Sequence, residues 1–204
     1  MSGASIAPPD PFMTPHETII AETRAWVNRA VIGLNLCPFA RAVEIKRQIR
    51  YAVTDAPSSE MLRESLCDEI RLLAAASPAE IETTLLIHPG TLTDFHEFND
   101  FLAVAEAALF ELGYEGVLQV ASFHPRYQFA GTEIDDMSNA TNRSPYPTLH
   151  LLREESVTRA VAAFPNTETI FATNIRTMRA TGAQGWSALQ AQCRKDATDP
   201  IAPE

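Results

Sequence analysis

The chain has 204 residues, of which 46% are hydrophobic and 21% are charged, and its formal net charge at pH 7 is −10. This length and composition are ordinary for one globular domain with a sizeable core. The acidic excess opposes the phosphates of nucleic acids and anionic membrane surfaces, so we expect neither as a partner. The longest mostly apolar run, 30–40, is far shorter than the roughly 20 residues that span a bilayer.

The three cysteines, Cys37, Cys67 and Cys193, are widely spaced and form no Cys-x-x-Cys pair. An odd number in this arrangement argues against a disulfide framework and indicates a reducing compartment, so we expect a cytoplasmic protein. Residues 1–13 lack a positively charged leader followed by an apolar stretch, which is unlike a secretory signal. We expect a disordered arm over 1–13, a single α/β domain over 14–193 and a disordered tail over 194–204.

The first helix has a clear predicted start. Thr14, Pro15 and Glu17 fit an N-cap, a proline at the first helical position and the third position of a capping box. Apolar residues then recur every three or four positions, and Pro38 prevents the helix from continuing far beyond residue 36. The pattern predicts a helix with one buried face.

Three segments have the pattern of strands, namely 49–56, 83–87 and 117–123. Amphipathic helices are predicted between them, over 58–76 and 95–112. Strands separated by single helices are typically parallel neighbours with right-handed crossovers. We therefore predict an α/β fold: a small, mostly parallel sheet of three or more strands, with helices packed around it and a long ordered loop after the third strand.

Helices are also predicted to close the domain: one from Leu149 or Arg153 to Phe164, one over 167–181 before Gly182, and a short one from Trp186. If the first of these begins early, His150, Arg153 and Glu154 share one of its faces. Residues 124–148, before it, show no periodicity. Loops longer than about 12–15 residues are usually functional or disordered, and the aromatic content favours order. We therefore expect the functional site in the segment 123–155.

His88 and His124 each stand at the end of a predicted strand and before a proline, which favours an extended histidine. The C-terminal ends of parallel strands share one edge, where open α/β sheets bind ligands. The two imidazoles are thus expected to converge there. The alternative is that each histidine only caps nearby carbonyl groups.

Our first hypothesis is a small-molecule enzyme in which His124 and His150 transfer protons or bind a metal. Asp135 or Asp136 would orient the imidazoles, as carboxylates do around catalytic or metal-bound histidines. Arg143 or Arg153 would hold an anionic group of the substrate. The candidate ligand-binding residues of this segment are Arg126, Tyr127, Asn142, Arg143, Tyr146 and Arg153.

A divalent metal is a weaker alternative, because no compact metal-binding motif is present. Cys37, His124, Asp135 and His150 have side chains that could together bind zinc or iron. Cys37 follows a helix C-terminus, which disfavours its thiolate, so a small buried apolar residue is the favoured interpretation over a nucleophile or metal ligand. No glycine-rich phosphate loop of the Walker or dinucleotide type is present.

Two non-catalytic hypotheses stay open. The first is a binding module in which Tyr127, Phe129, Tyr146 and the arginines form a pocket for a small anion or a peptide. The second is a structural or assembly protein, in which the long loop covers the sheet edge and packs against a partner subunit. Such a protein would be a homo-oligomer with the segment 123–155 buried in the interface.

Three long motifs resemble those of a bacterial family known as domain of unknown function 1415. They are Leu36-Cys-Pro-Phe-Ala40, Leu118-Gln-Val-Ala-Ser-Phe-His-Pro-Arg-Tyr-Gln-Phe-Ala-Gly131 and Thr141-Asn-Arg-Ser-Pro-Tyr-Pro-Thr-Leu-His-Leu-Leu-Arg-Glu154. The resemblance extends from the first helix to the helix after His150. It implies a bacterial source and an uncharacterised protein, but no activity, cofactor or site residue.

Overall fold

The computed structural model describes residues 13–163 and 167–198. In chain order its elements are α1 (Pro15–Trp26), a π-helical segment (Val27–Ile32), α2 (Ala40–Ile45), β1 (Ile49–Val53), α3 (Ser59–Ala75), β2 (Thr83–Ile87), α4 (Phe95–Glu111), β3 (Leu118–Phe123), a 3₁₀ helix (Met137–Asn142), β4 (Thr148–Arg153), α5 (Glu154–Ala163) and α6 (Thr167–Thr198). Of the two tails expected to be disordered, residues 1–12 and 199–204 lie outside the described residues. Helix α6 extends into the second tail as far as Thr198.

The four strands form a mixed sheet in the order β1-β2-β4-β3. β1 and β2 are parallel, as predicted, but β4 is antiparallel to both β2 and β3. The prediction of a mostly parallel sheet is therefore wrong. Its source is the segment 148–153, which was expected to begin a helix but forms the inserted strand.

Helices cover both faces of this sheet. Helices α3 and α4 pack on one face, around a core that includes Leu66, Phe98 and Leu149. Helices α1 and α6 pack on the other face, around a core that includes Trp26 and Met178. Fully burying a large apolar side chain contributes about 1.5–3 kcal/mol, so both layers stabilise the fold. No helix in the described ranges is both long and apolar enough to cross a membrane.

Several predicted helix boundaries are confirmed. Thr14 forms the capping box that begins α1, and Ser58 caps α3. Helix α4 begins at Phe95, as predicted, and the carboxylate of Asp94 caps it by accepting from the backbone N–H groups of His96 and Glu97. Gly182, with φ of 64°, interrupts α6 where a stop was predicted, but the helix resumes beyond it.

Candidate ligand-binding site

His88 and His124 both lie against α4, on the same face of the sheet. Their rings contact Phe98, with centroid distances of 5.6 Å for His88 and 5.0 Å for His124. The Nδ1 of His88 is 2.8 Å from the carbonyl oxygen of Thr91, and the Nε2 of His124 is 3.3 Å from that of Leu92. Both rings therefore cap carbonyl groups of one turn. This is the alternative interpretation of the two histidines, in which each only caps nearby carbonyls.

The burial of these two rings affects their protonation. Burial lowers the pKa of His88 to about 4 and also lowers the pKa of His124. The proximity of the two imidazoles lowers the pKa of His88 further. Both rings are accordingly neutral at pH 7, as expected of groups that stabilise the turn by hydrogen bonding.

Asp135 and Asp136 lie in the long loop, away from both histidines. Asp135 is exposed. Asp136 caps the 3₁₀ helix through the N–H of Ser138 and forms an ion pair with Arg179, at 3.3 Å. Neither carboxylate has a hydrogen bond to an imidazole among the described residues, so the predicted orienting role has no geometric support.

The long loop is held in place by Asn139, whose side chain is fully buried. Its Oδ1 accepts from the N–H of Phe129 and from the hydroxyl of Thr132, both at 2.9 Å. Its Nδ2 donates to the carbonyl of Glu133 at 2.8 Å. One amide side chain thus satisfies three groups of the loop, which accounts for an ordered segment with little regular structure.

Several predicted ligand-binding residues contact the protein itself. Arg126 donates to the carbonyl of Thr93 and pairs with Asp94, and the ring of Tyr127 packs 5.2 Å from that of Phe95. The carbonyl of Asn142 accepts from the N–H of His124. Arg153 donates to three carbonyls, those of Leu73 and Ala76 at the C-terminal end of α3 and that of Ile81 in the connection to β2. Arg143 and Tyr146 line a separate cavity.

His150 lies on the opposite face of the sheet from His124. Its neighbours in β4, Leu149 and Leu151, belong to the core under α3 and α4, and side chains alternate along a strand. His150 therefore points to the α1 side, where its ring lies 5.8 Å from that of Phe123. The structure does not bring His124 and His150 together, and the helical face expected for His150 does not form because this residue is in a strand.

The four candidate metal ligands are likewise separated. His150 and His124 are on different faces, and Asp135 is exposed in the loop. Within residues 13–163 and 167–198, no three His, Cys, Asp or Glu side chains are close enough to hold one metal ion. The geometry gives no support to the metal set Cys37, His124, Asp135 and His150.

A mainly apolar cavity of about 390 Å³ covers the middle of the sheet beside His150. Helix α1, the π-helical segment, α2 and α5 form its walls, and β2, β3 and β4 form its floor. Representative apolar lining residues are Trp26, Val31, Val43, Ala121, Phe123 and Val157. The thiol-bearing residue Cys37 also lines it and is partly buried.

The polar centre of this cavity is the pair His150 and Thr83. The hydroxyl of Thr83 donates its hydrogen to the carbonyl of Leu151, at 2.5 Å. A hydroxyl has one hydrogen, so Thr83 Oγ1 must accept from His150 Nε2, which is 2.7 Å away. His150 is therefore the tautomer with hydrogen on Nε2, and its Nδ1 carries a lone pair.

That Nδ1 has no hydrogen-bond partner in the part of the chain that the structure describes. Burial lowers the pKa of His150 to about 4, so the ring is neutral at pH 7. The cavity thus presents a neutral acceptor at its centre within a mainly apolar lining, whose other polar members include Glu82, Gln119 and Arg153. Such a site suits a ligand that is mostly apolar and carries one hydrogen-bond donor.

Sequence reasoning identified His150 but not Thr83 or the cavity. Thr83 belongs to a strand that appeared apolar on both faces. The available signal was the alternation of 148–153, in which Leu149 and Leu151 face one layer and His150 faces the other. That alternation is too short to distinguish from the start of an amphipathic helix.

The fold and the cavity define an α/β protein with a mainly apolar ligand cavity on one face of a mixed sheet. Residues 18–188 match the family described as "Protein of unknown function (DUF1415)", so the chain belongs to this family. This match confirms the family membership that the three sequence motifs indicated. No curated protein and no solved structure matches the chain.

Proposed function

We propose that this protein binds a small, mainly apolar molecule whose hydroxyl or N–H group donates a hydrogen bond to His150 Nδ1. The observation that carries the proposal is the Nδ1 lone pair of His150, which lines a mainly apolar cavity and has no hydrogen-bond partner among the described residues. The volume of about 390 Å³ lies within the range of roughly 300–1,000 Å³ typical of small-molecule sites.

The energetics favour a ligand with one donor. A hydrogen bond from a ligand donor to Nδ1 would contribute about 0.5–1.5 kcal/mol net of the water that it replaces. The rest of the affinity would come from burial of apolar ligand surface, at about 25 cal/mol per Å². Thr83 contributes by fixing the ring and its tautomer before the ligand arrives.

The same geometry favours binding over acid–base catalysis. A general base works best when its pKa is near the working pH, and burial lowers the pKa of His150 to about 4. No carboxylate contacts the ring among the described residues, and Thr83 supplies only a neutral hydroxyl. We therefore rank a binding protein above the enzyme that pairs His150 with His124.

Phenol and toluene test the proposal, because they differ by a hydroxyl in place of a methyl group. Isothermal titration of each with the protein and with His150→Leu gives four dissociation constants. We expect the preference for phenol over toluene to fall about tenfold in His150→Leu, the equivalent of one hydrogen bond of about 1.4 kcal/mol.

Ala121→Leu is the matched control for the cavity itself. Ala121 lies directly opposite His150 in the β3–β4 ladder and lines the cavity, so a larger side chain there fills the space. Both ligands should then bind more weakly, with their ratio unchanged. An unchanged phenol-to-toluene ratio in His150→Leu would contradict the proposed role of Nδ1.

A further inference from the structure

A second cavity, of about 270 Å³, lies between α1, α6 and the long loop. Its main lining residues are Pro125, Arg143, Pro145, Tyr146, Trp186 and Arg194. Arg143 and Tyr146 were both predicted from the sequence as ligand-binding residues. This cavity lies beyond the site beside His150, although Trp26 contributes to the walls of both.

Arg143 is a partly buried positive charge without a carboxylate partner. Its Nε donates to the carbonyl of Tyr127 at 3.2 Å, and its Nη2 donates to the carbonyl of Ile134 at 2.7 Å. Within the described ranges no Asp or Glu oxygen lies within ion-pair distance of it. Burial lowers the pKa of its guanidinium, a sign of incomplete compensation. Partly buried charges are normally paired, so the missing partner points to an anion.

The rest of the lining leaves an excess of positive charge. Arg194 is exposed at the cavity and lies near Tyr146: burial and Glu22 raise the pKa of that phenol, and the charge of Arg194 opposes the rise. Glu22 is the one carboxylate among the lining residues, and its Oε2 accepts from the hydroxyl of Tyr146 at 2.7 Å. Two guanidinium groups against one carboxylate leave a single net positive charge, although the whole chain carries −10.

The apolar walls restrict what can accompany the anion. Trp26 and Trp186 are almost fully buried beside the cavity, and Pro125 and Pro145 add further rigid apolar surface. Flat walls of this kind suit a planar apolar group. A single net positive charge suits a monoanion, and a guanidinium fork binds a carboxylate with good geometry.

We propose that this second cavity binds a carboxylate attached to a flat apolar group, with Arg143 and Arg194 holding the carboxylate. Benzoate is the probe, and benzamide is the neutral molecule of matched shape. Trp26 and Trp186 are the only tryptophans in the sequence, and both line the cavity, so intrinsic fluorescence reports binding directly.

We expect a saturable fluorescence change with benzoate that is at least about tenfold weaker with benzamide. Arg143→Gln should raise the benzoate dissociation constant about tenfold. Arg143 also donates to two loop carbonyls, so its replacement could disturb the loop. Arg194→Gln is therefore a second variant, at an exposed position, and should raise the benzoate dissociation constant severalfold. Arg71→Gln is the control, since this exposed arginine forms an ion pair with Asp68 on α3, far from the lining of the cavity in the chain.

The outcomes separate this cavity from the one beside His150. Benzoate binding that weakens in Arg194→Gln and is unchanged in His150→Leu supports the second site. Equal affinity for benzoate and benzamide, or an affinity that neither arginine variant alters, would overturn it. Loss of benzoate binding in His150→Leu alone would assign the carboxylate to the first cavity and also overturn it.

Discussion

Thr83 and His150, on the neighbouring antiparallel strands β2 and β4, are joined by a hydrogen bond of 2.7 Å across the ladder. They are diagonal neighbours, since Leu85 is the residue directly opposite His150. The bond fixes which ring nitrogen carries hydrogen and directs the lone pair to the other. The acceptor atom in the cavity, His150 Nδ1, is therefore positioned by two residues of paired strands and not by a loop.

Thr83→Val tests the importance of that bond for stability. Valine has the same shape but cannot accept from His150 Nε2, so a buried N–H group loses its partner. We expect a loss of about 1–3 kcal/mol in the free energy of unfolding. Urea denaturation monitored by circular dichroism measures it.

Thr84→Val is the matched control, one residue further along β2 on the other face. The hydroxyl oxygen of Thr84 is buried and has no hydrogen-bond partner among the described residues. Its removal should leave stability unchanged or slightly raised. Equal losses in the two valine variants would indicate that threonine shape, and not the bond to His150, is what matters.

The two histidines with a pKa of about 4 predict how stability depends on pH. In the unfolded chain the histidine pKa is about 6.5, so between pH 6.5 and 4 the unfolded state binds more protons than the folded state. The contribution of the neutral, buried histidines to the free energy of unfolding is therefore fully present above pH 6.5. It decreases as the pH falls from 6.5 toward 4. The free energy of unfolding falls by up to about 1.4 kcal/mol per pH unit for each histidine that is protonated in the unfolded chain but not in the folded protein.

His150→Leu removes one of these contributions. Between pH 6 and 5, the slope of unfolding free energy against pH should fall by up to about 1.4 kcal/mol per unit relative to the unmodified protein. Denaturation in matched buffers measures both slopes. An identical slope in the variant would mean that His150 is not buried as a neutral ring.

The elements that sequence could predict are those with strong local signals. The capping box at Thr14, the cap at Ser58 and the apolar strand 83–87 are all encoded by nearby residues, and each is found in the structure. The strand at 148–153 could not be predicted in this way. It is stabilised by pairing with β2 and β3, both distant in sequence, and this pairing overrides the local pattern.

The candidate site was predictable only in part, for the same reason. His150 was selected because it lies in a polar-rich segment, but its partner Thr83 comes from another strand and its cavity is built by four helices. His124 was selected by its position before Pro125, which equally suits a residue that caps a turn. Chemistry-bearing residue types can be read from sequence, whereas the face of the sheet to which each belongs depends on register.

Asn139 is expected to control the order of the long loop. Asn139→Ala removes three hydrogen bonds and leaves the N–H of Phe129 without its partner, so we expect a loss of about 2–3 kcal/mol in unfolding free energy. Limited proteolysis should then cleave within 124–147 faster than in the unmodified protein. Unchanged cleavage in the alanine variant would contradict this role.

Cys37 should report on occupancy of the first cavity. It is partly exposed and lines that cavity, whereas Cys67 and Cys193 are buried and burial raises the pKa of Cys193 to about 11. Iodoacetamide should therefore modify Cys37 first, as peptide mass spectrometry would show. Saturating phenol should slow that reaction, and a rate that phenol leaves unchanged would argue that it does not enter this cavity.

The most direct test of ligand binding at His150 is the ¹⁵N chemical shift of its Nδ1 in labelled protein. Without ligand, this nitrogen should give the signal of an unprotonated imidazole nitrogen with no hydrogen bond, and Nε2 that of a protonated one. At saturating phenol the account predicts that the Nδ1 signal moves to lower frequency, while toluene leaves it unchanged. Saturation with phenol and no movement of that signal would contradict the account.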